Sequence, residues 1–304
     1  MNRFSLLCCL LGLFAGNTAS ADLRVVRLHQ LPMLPNAFQI HPDLFSGGTP
    51  SGDLGFEQLK RLGIKTIVSV DGATPDLDAA RRQDLRYVHL PHGYEGISET
   101  HAQRLAKAVL ELPRPIYFHC HHGKHRSPAA AVVAGVGAGV IAPSVGVGFL
   151  QLAGTSEHYT GLYQAAAGAH KMDASLLQAL PFEFAEAVEV PPMAKSMVEI
   201  EGAFSHLSQL RRTGWKVLAE DPDLDPTHEA LILKEHFTEL IRSSRDQRST
   251  RFLALLEASR DSAAKLEAGL RRTPRSLSEC RDALDAISND CRQCHREYRD
   301  RPAK

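Results

Sequence analysis

The sequence predicts an α/β domain with a mostly parallel sheet and covering helices, followed by an all-α four-helix bundle. Three observations carry this. Short Val/Ile-rich runs alternate with helical stretches up to about residue 180. Beyond that point only helical periodicity is found. Pro181, Pro191 and Pro192 punctuate the change of texture. A chain of 304 residues is also long for a single core, so two folded units are expected.

The N-terminus has the form of an export signal over residues 1–21. Arg3 supplies positive charge, Leu6 to Phe14 is an apolar run too short to span a bilayer, and Ala19-Ser20-Ala21 is a small-x-small cleavage site. The mature chain then begins at Asp22, with a leader over 22–43, and the expected location is periplasmic. No other stretch reaches about 18 apolar residues, so no membrane span is expected after cleavage.

In the first unit, 44–175, the run Ile64 to Val70 alternates like a strand, and Leu85 to Pro91 does the same until proline stops it. Thr100 to Leu112 is helical, with Leu105, Val109 and Leu112 on one face. Pro115 to Cys120 is the next strand. Residues 128–168 are rich in Ala and Gly and read as a loosely packed helix, then a turn at Pro143. Gly135, Gly137 and Gly139 do not make a dinucleotide loop, because the preceding strand has already ended at Cys120.

Residues 176–191 read as a linker. In the second unit, 192–304, Met193, Met197, Ile200, Phe204 and Leu207 step by four and three. Pro226 opens a second helix with Leu231, Leu233 and Phe237. Phe252, Leu255, Leu256 and Leu266 mark a third. Pro274 precedes a fourth, with Leu277, Cys280, Leu284 and Ile287. Four amphipathic helices in succession fit an antiparallel bundle.

Lys plus Arg and Asp plus Glu are equal at 35 each, which gives no support for a nucleic-acid or anionic-membrane partner. Removal of the signal takes Cys8 and Cys9 and leaves Cys120, Cys280, Cys291 and Cys294.

Two cysteine motifs carry chemistry. In His119-Cys120-His121-His122-Gly123-Lys124-His125-Arg126-Ser127, cysteine, glycine and arginine stand at C-x-x-G-x-x-R spacing behind an apolar strand. Converging loop amides before a helix bind an oxyanion. Gly123 permits the tight turn, and Arg126 offers a planar fork to phosphate oxygens. The same groups favour the Cys120 thiolate, and Ser127 can hydrogen-bond its sulfur. With usages of about 7% and 5% for Gly and Arg, both fall at these offsets from a cysteine by chance in about 0.4% of cases. The four histidines could suggest a metal, but Arg126 and Lys124 would oppose a cation, and a metal needs neither Gly123 nor Ser127. His121, His122, Lys124 and His125 enlarge the positive field and favour a highly phosphorylated substrate over a lone phosphotyrosine.

The second motif, Cys291-Arg292-Gln293-Cys294-His295, has the C-x-x-C-H form of covalent haem attachment, with two thiols for the vinyl groups and a histidine for iron. Zinc would need a further ligand pair that is missing here. Cys280 lies eleven residues, about 16 Å of helix, before Cys291, too far for a disulfide within one helix. It reads as a buried free thiol.

The segment from about Leu44 to His170 resembles the cysteine-dependent dual-specificity and tyrosine phosphatases, particularly compact bacterial members. The resemblance rests on Ser46-Gly47-Gly48-Thr49-Pro50, on Leu62-Gly63-Ile64-Lys65-Thr66-Ile67 and on the loop itself. It implies a cysteinyl-phosphate mechanism without a metal, acting on a phosphorylated small molecule or phosphoprotein. Cys120 would be the nucleophile, Arg126 the phosphate clamp, His119 the residue orienting the loop, and Ser127 the aid to hydrolysis. The family's acid is normally an Asp. The loop His92 to Ile97 offers Glu95 instead, and Asp71 is the alternative.

Residues from about Pro192 to Arg301 resemble the class II cytochromes c, the c-prime and c-556 group. This implies one covalent haem c on Cys291 and Cys294, with His295 as proximal ligand and electron exchange with a redox partner protein. The distal ligand is absent in that family or is a methionine of the first helix; Met197 is preferred here over Met193. Together the two resemblances imply a phosphatase fused to a cytochrome. The alternative is a haem protein whose phosphatase-like domain only binds anions.

Overall fold

The structure, a computed structural model, describes residues 25–217, 224–245 and 248–299. The expected export signal lies outside the described residues. The first unit consists of β1 (Val26–Arg27), β2 (Phe38–His41), β3 (Leu44–Gly48), α1 (Gly52–Arg61), β4 (Thr66–Ser69), α2 (Leu77–Arg82), β5 (Arg86–His89), α3 (Glu99–Glu111), β6 (Ile116–Cys120), α4 (Arg126–Gly137), α5 (Gly146–Ala153), α6 (Thr160–Ala167) and α7 (Ala174–Ala179). The second consists of α8 (Pro192–Arg212), α9 (Pro226–Ser244), α10 (Thr250–Arg271) and α11 (Leu277–Tyr298).

The strands form one mixed sheet in the order β1-β2-β3-β6-β4-β5. The β3-β6-β4-β5 part is parallel, as expected. The antiparallel pairs β1-β2 and β2-β3 were not. They build the expected leader into the sheet, so the folded domain begins well before residue 44.

Alternation along each strand divides the side chains between two cores. Val68, Val88 and Phe118 face α3 and α4, where Leu105, Val109, Ala130 and Val133 meet them. Ile67, Tyr87, Tyr117 and Phe45 face α1 and α2, where Phe56, Leu59, Ala79 and Ala80 complete the second core. Pairing of Gly48 with Cys120 and of Ser69 with His119 brings the C-terminal ends of β3, β6 and β4 to one edge. Parallel sheets carry their sites at that edge.

The helix at 126–137 is the reverse of loosely packed. Nearly every residue of α4 is buried. A Cβ on Gly135 would stand 2.7 Å from Leu44 Cδ2, and one on Gly137 would stand 2.8 Å from Ala106 Cβ. Its small residues let it pack on all sides, so it shows no amphipathic stripe.

The expected linker, 176–191, starts inside α7 and continues as an irregular stretch bound to the sheet. Ala185 O accepts from His89 N at 3.0 Å, and Val188 N donates to His89 Nδ1 at 3.2 Å. The C-terminal region is helical. Asp225 caps α9 with Pro226 in its first turn, and Ser249 caps α10. Leu207, Leu233, Phe237, Leu256, Leu266, Leu284 and Ile287 share one core across the four helices. Cys280 is buried in that core. α11 packs along α10 and meets α8 only sparsely. Among the described residues, no helix is long and apolar enough to cross a membrane.

Candidate active site

Strand β6 delivers Cys120 to the sheet edge, and α4 begins at Arg126; residues 121–125 turn between them. Gly123 has φ +70°, and a Cβ there would stand 2.3 Å from Gly48 N, so only glycine closes this loop. The Asn36 amide donates to Gly123 O at 2.9 Å and to Ala153 O at 2.8 Å. The Thr155 hydroxyl donates to Lys124 O at 2.6 Å. In a trans peptide the N–H lies opposite its carbonyl, so the amides of Lys124 and His125 point away from Asn36 and Thr155.

The Cys120 thiol is buried, with its sulfur 3.4 Å from Ser127 Oγ. Ser127 Oγ also lies 2.9 Å from Gly47 O, to which it donates. One hydroxyl proton cannot serve both. While Ser127 donates to Gly47, it can only accept from a protonated Cys120; once the sulfur is anionic the hydroxyl can turn toward it.

Arg126 is nearly enclosed. Its Nη2 is 3.3 Å from Asp71 Oδ2, and its guanidinium carbon is 4.6 Å from the centre of the Tyr94 ring. Burial alone would lower the Arg126 pKa, but Tyr94, Asp71 and Cys120 outweigh it and the guanidinium is held more firmly charged. Its Nε is buried and has no hydrogen-bond partner among the described residues. An orphaned donor of this kind costs about 1–3 kcal/mol. An oxyanion lying against the guanidinium would satisfy it.

Asp71 follows β4, and its side chain is almost fully buried. Burial pushes its carboxyl up, but Arg126, the Ala73 amide and two histidines outweigh that, and the pKa falls below its ordinary value. Glu95 is exposed on the loop after β5, with its carboxylate folded back toward Gly93. The carboxylate that reaches the cradle is therefore Asp71.

His119 is a support. Its Nε2 is 2.6 Å from Tyr87 Oη and its Nδ1 is 3.3 Å from Thr49 Oγ1. Burial lowers its pKa to about 4, so it is neutral at neutral pH. Burial likewise lowers His121, and it takes His125 down to about 4. The expected positive field is thus smaller, because these two imidazoles carry little charge near neutral pH. His125 instead packs its ring 4.7 Å from that of Tyr159. Beside the loop a cavity of about 530 Å³ is lined in part by Arg27, Asn36, Thr49, His121, His122 and Lys124.

The helical region meets the mouth of this site. The Arg299 guanidinium, just past α11, lies 4.6 Å from the centre of the Tyr94 ring and donates to Tyr159 Oη at 2.6 Å. On α11 itself, Cys291, Cys294 and His295 sit at i, i+3 and i+4 and so share a helix face. Both cysteines pack partly buried against the helical core, as do Met193 and Met197 of α8. Burial pushes the Cys291 thiol up to about 12 and Cys294 to about 11.

The structure thus gathers Cys120, Arg126, Ser127, His119 and Asp71 and leaves Glu95 outside. Sequence reasoning missed Asn36, Thr49, Tyr87, Tyr94, Thr155 and Tyr159. Thr49 lies in the Ser46-Gly47-Gly48-Thr49-Pro50 run, which gave no hint of its contact with His119. The others belong to no motif, and long-range contacts bring them in. Tyr94, beside Glu95 in the inspected loop, also stood where a search could have found it.

Solved structures similar to this chain include TpbA of P. aeruginosa, at 18% identity, covering 52% of this chain and 96% of that one with a TM-score of 0.41. The core catalytic domain of the PP-IP phosphatase SIW14 from S. cerevisiae is similar at 15% identity, covering 48% and 90%, with a TM-score of 0.40. A DUF442 protein from Shewanella putrefaciens CN-32 is similar at 15% identity, covering 45% and 95%, with a TM-score of 0.38. No protein-family model and no curated protein matches the chain.

Proposed function

We propose that this chain is a cysteine-dependent phosphomonoester phosphatase joined to a helical domain that carries one covalent haem c, exported to the periplasm. The observation that carries the enzymatic reading is the buried Arg126 guanidinium with its orphaned Nε, in a glycine-closed loop whose first residue follows a buried thiol.

The chemistry follows from the residues around that cradle. Arg126 and the loop amides hold the phosphate. The Cys120 thiolate attacks phosphorus; the S–P bond forms as the ester P–O bond breaks, and Asp71 gives its proton to the leaving oxygen. In the free protein Asp71 is held ionised. An arriving dianion draws Arg126 toward itself and sets negative charge beside Asp71, and both effects raise its pKa, so Asp71 takes up the proton that the Cys120 thiol loses on becoming the thiolate. Water then attacks phosphorus, its proton returns to Asp71, and the S–P bond breaks with the Ser127 hydroxyl donating to the departing sulfur. Glu95 takes no part in this reading.

The cavity beside the loop supplies Arg27 and Lys124 outside the cradle. This supports a small molecule with more than one phosphate as the substrate class.

For the haem, the donor set is suitable: two neutral thiols on one helix face, an adjacent imidazole, and two thioethers of α8 that pack partly buried against the same helical core as the thiols. Cys291 and Cys294 would anchor the group and His295 would ligate iron, with Met197 the preferred distal candidate. When bound, haem c supplies a one-electron centre that a redox partner protein can address.

One preparation tests both halves. A pyridine haemochrome spectrum reads covalent haem. Phosphate release from phytate and from a phosphotyrosine peptide reads the enzyme, and Cys120→Ser abolishes it. Normal haem with no turnover on any phosphomonoester would instead favour the alternative, an anion-binding haem sensor or electron-transfer protein. A strong peptide preference would overturn the multiply phosphorylated substrate.

A further inference from the structure

We infer that His121, His122 and Glu201 form a binding site for one divalent transition cation of the zinc class, joining the phosphate loop to the helical region. The three ligands come from both parts of the chain. His121 and His122 follow Cys120 directly, and Glu201 lies on α8.

One ligand atom from each lies within 4.8 Å of the other two. His122 Nε2 is 3.6 Å from the Glu201 carboxylate, and the two imidazole rings are 4.3 Å apart. Tetrahedral zinc with bonds of about 2.0–2.1 Å sets its ligands about 3.3 Å apart. The widest gap therefore needs to close by no more than about 1.5 Å. His122 and Glu201 are about half exposed and can turn by that much.

The ligand chemistry selects the metal. Two imidazole nitrogens and one carboxylate suit zinc, copper or nickel and do not suit calcium or magnesium, which favour all-oxygen sets. The Ser205 hydroxyl donates at 3.3 Å to Glu201 Oε1, the same oxygen that faces His122, and helps to orient the carboxylate. Of the two loop cations that argued against a metal, Arg126 is paired with Asp71 and Lys124 is exposed to solvent, while Glu201, from α8, brings a negative charge beside the histidines.

The site uses no cysteine, so its test is separate from those of the phosphatase and the haem. The full-length chain is dialysed against zinc, and bound zinc is counted apart from iron by elemental analysis. One zinc per chain is expected, with affinity at least tenfold weaker in Glu201→Gln. The melting temperature should rise with zinc in the unsubstituted chain and not in the variant, while without zinc the two melt alike. Zinc should bind equally well in Cys291→Ala/Cys294→Ala. Absence of zinc binding, equal affinity in Glu201→Gln, or loss of zinc binding in Cys291→Ala/Cys294→Ala would each overturn the assignment.

Discussion

Replacing Asp71 by Asn separates its two jobs, holding Arg126 and supplying a proton. Asn has nearly the same volume and can still accept from the Ala73 amide, a bond of 2.8 Å. It cannot carry the charge that faces Arg126 across 3.3 Å, nor give a proton. Losing a hydrogen bond to a charged group costs about 1.5–3 kcal/mol of stability. Losing a general acid costs about 10²–10⁴-fold in kcat, which is about 3–5 kcal/mol of barrier. The loss should be large for alkyl phosphates and small for an aryl phosphate whose leaving oxygen needs no proton. The assay is kcat and kcat/KM against pH for both substrates, and the variant should lose the basic limb of the profile. Asp71→Asn also changes acid stability. The folded pKa of Asp71 lies below its ordinary 3.8, so its contribution is fully present above that value and fades as pH falls through the folded pKa. The variant should therefore show a flatter stability curve in that acid range. Wild-type rates on alkyl phosphates in Asp71→Asn, together with a large loss in Glu95→Gln, would refute the assignment of the acid.

Ser127→Ala should slow hydrolysis of the cysteinyl phosphate more than its formation, so rapid mixing with an aryl phosphate shows a burst; equal slowing of both phases would contradict the role of the hydroxyl. Gly123→Ala places a methyl group 2.3 Å from Gly48 N on a left-handed backbone, and kcat/KM should fall by about 100-fold or more while the circular dichroism spectrum is kept. Cys291→Ala with Cys294→Ala should release haem on acid–acetone extraction and leave phosphate release intact; loss of phosphatase activity without loss of helical signal would instead tie the enzyme to the haem.

The legible parts of the fold were those with a strong apolar signal. Ile64 to Val70 and Pro115 to Cys120 are short runs dominated by apolar residues because both faces of β4 and β6 are covered by apolar cores. The starts of α9 and α11 were marked by Pro226 and Pro274. β1 is too short to show a pattern. β3 ends in Gly47 and Gly48, which look like a turn; a Cβ on Gly47 would collide with the Tyr117 hydroxyl, so here glycine marks close strand packing. In the site, Cys120, Arg126 and Ser127 were readable because one loop holds them at fixed spacing. Asp71 stands 55 positions from its partner Arg126, and no local pattern encodes such a contact. Glu95 was favoured on position in sequence alone, and its backbone turns the carboxylate back toward Gly93.

The attachment of residues 185–188 to His89 has a practical consequence. β5 is the last strand on its side of the sheet, and this stretch shields its outer rim. A fragment cut after α7 would bare unpaired amides there, and bare rims recruit other chains. A soluble catalytic fragment should therefore be trimmed no earlier than Val190, even though every motif for catalysis lies far upstream.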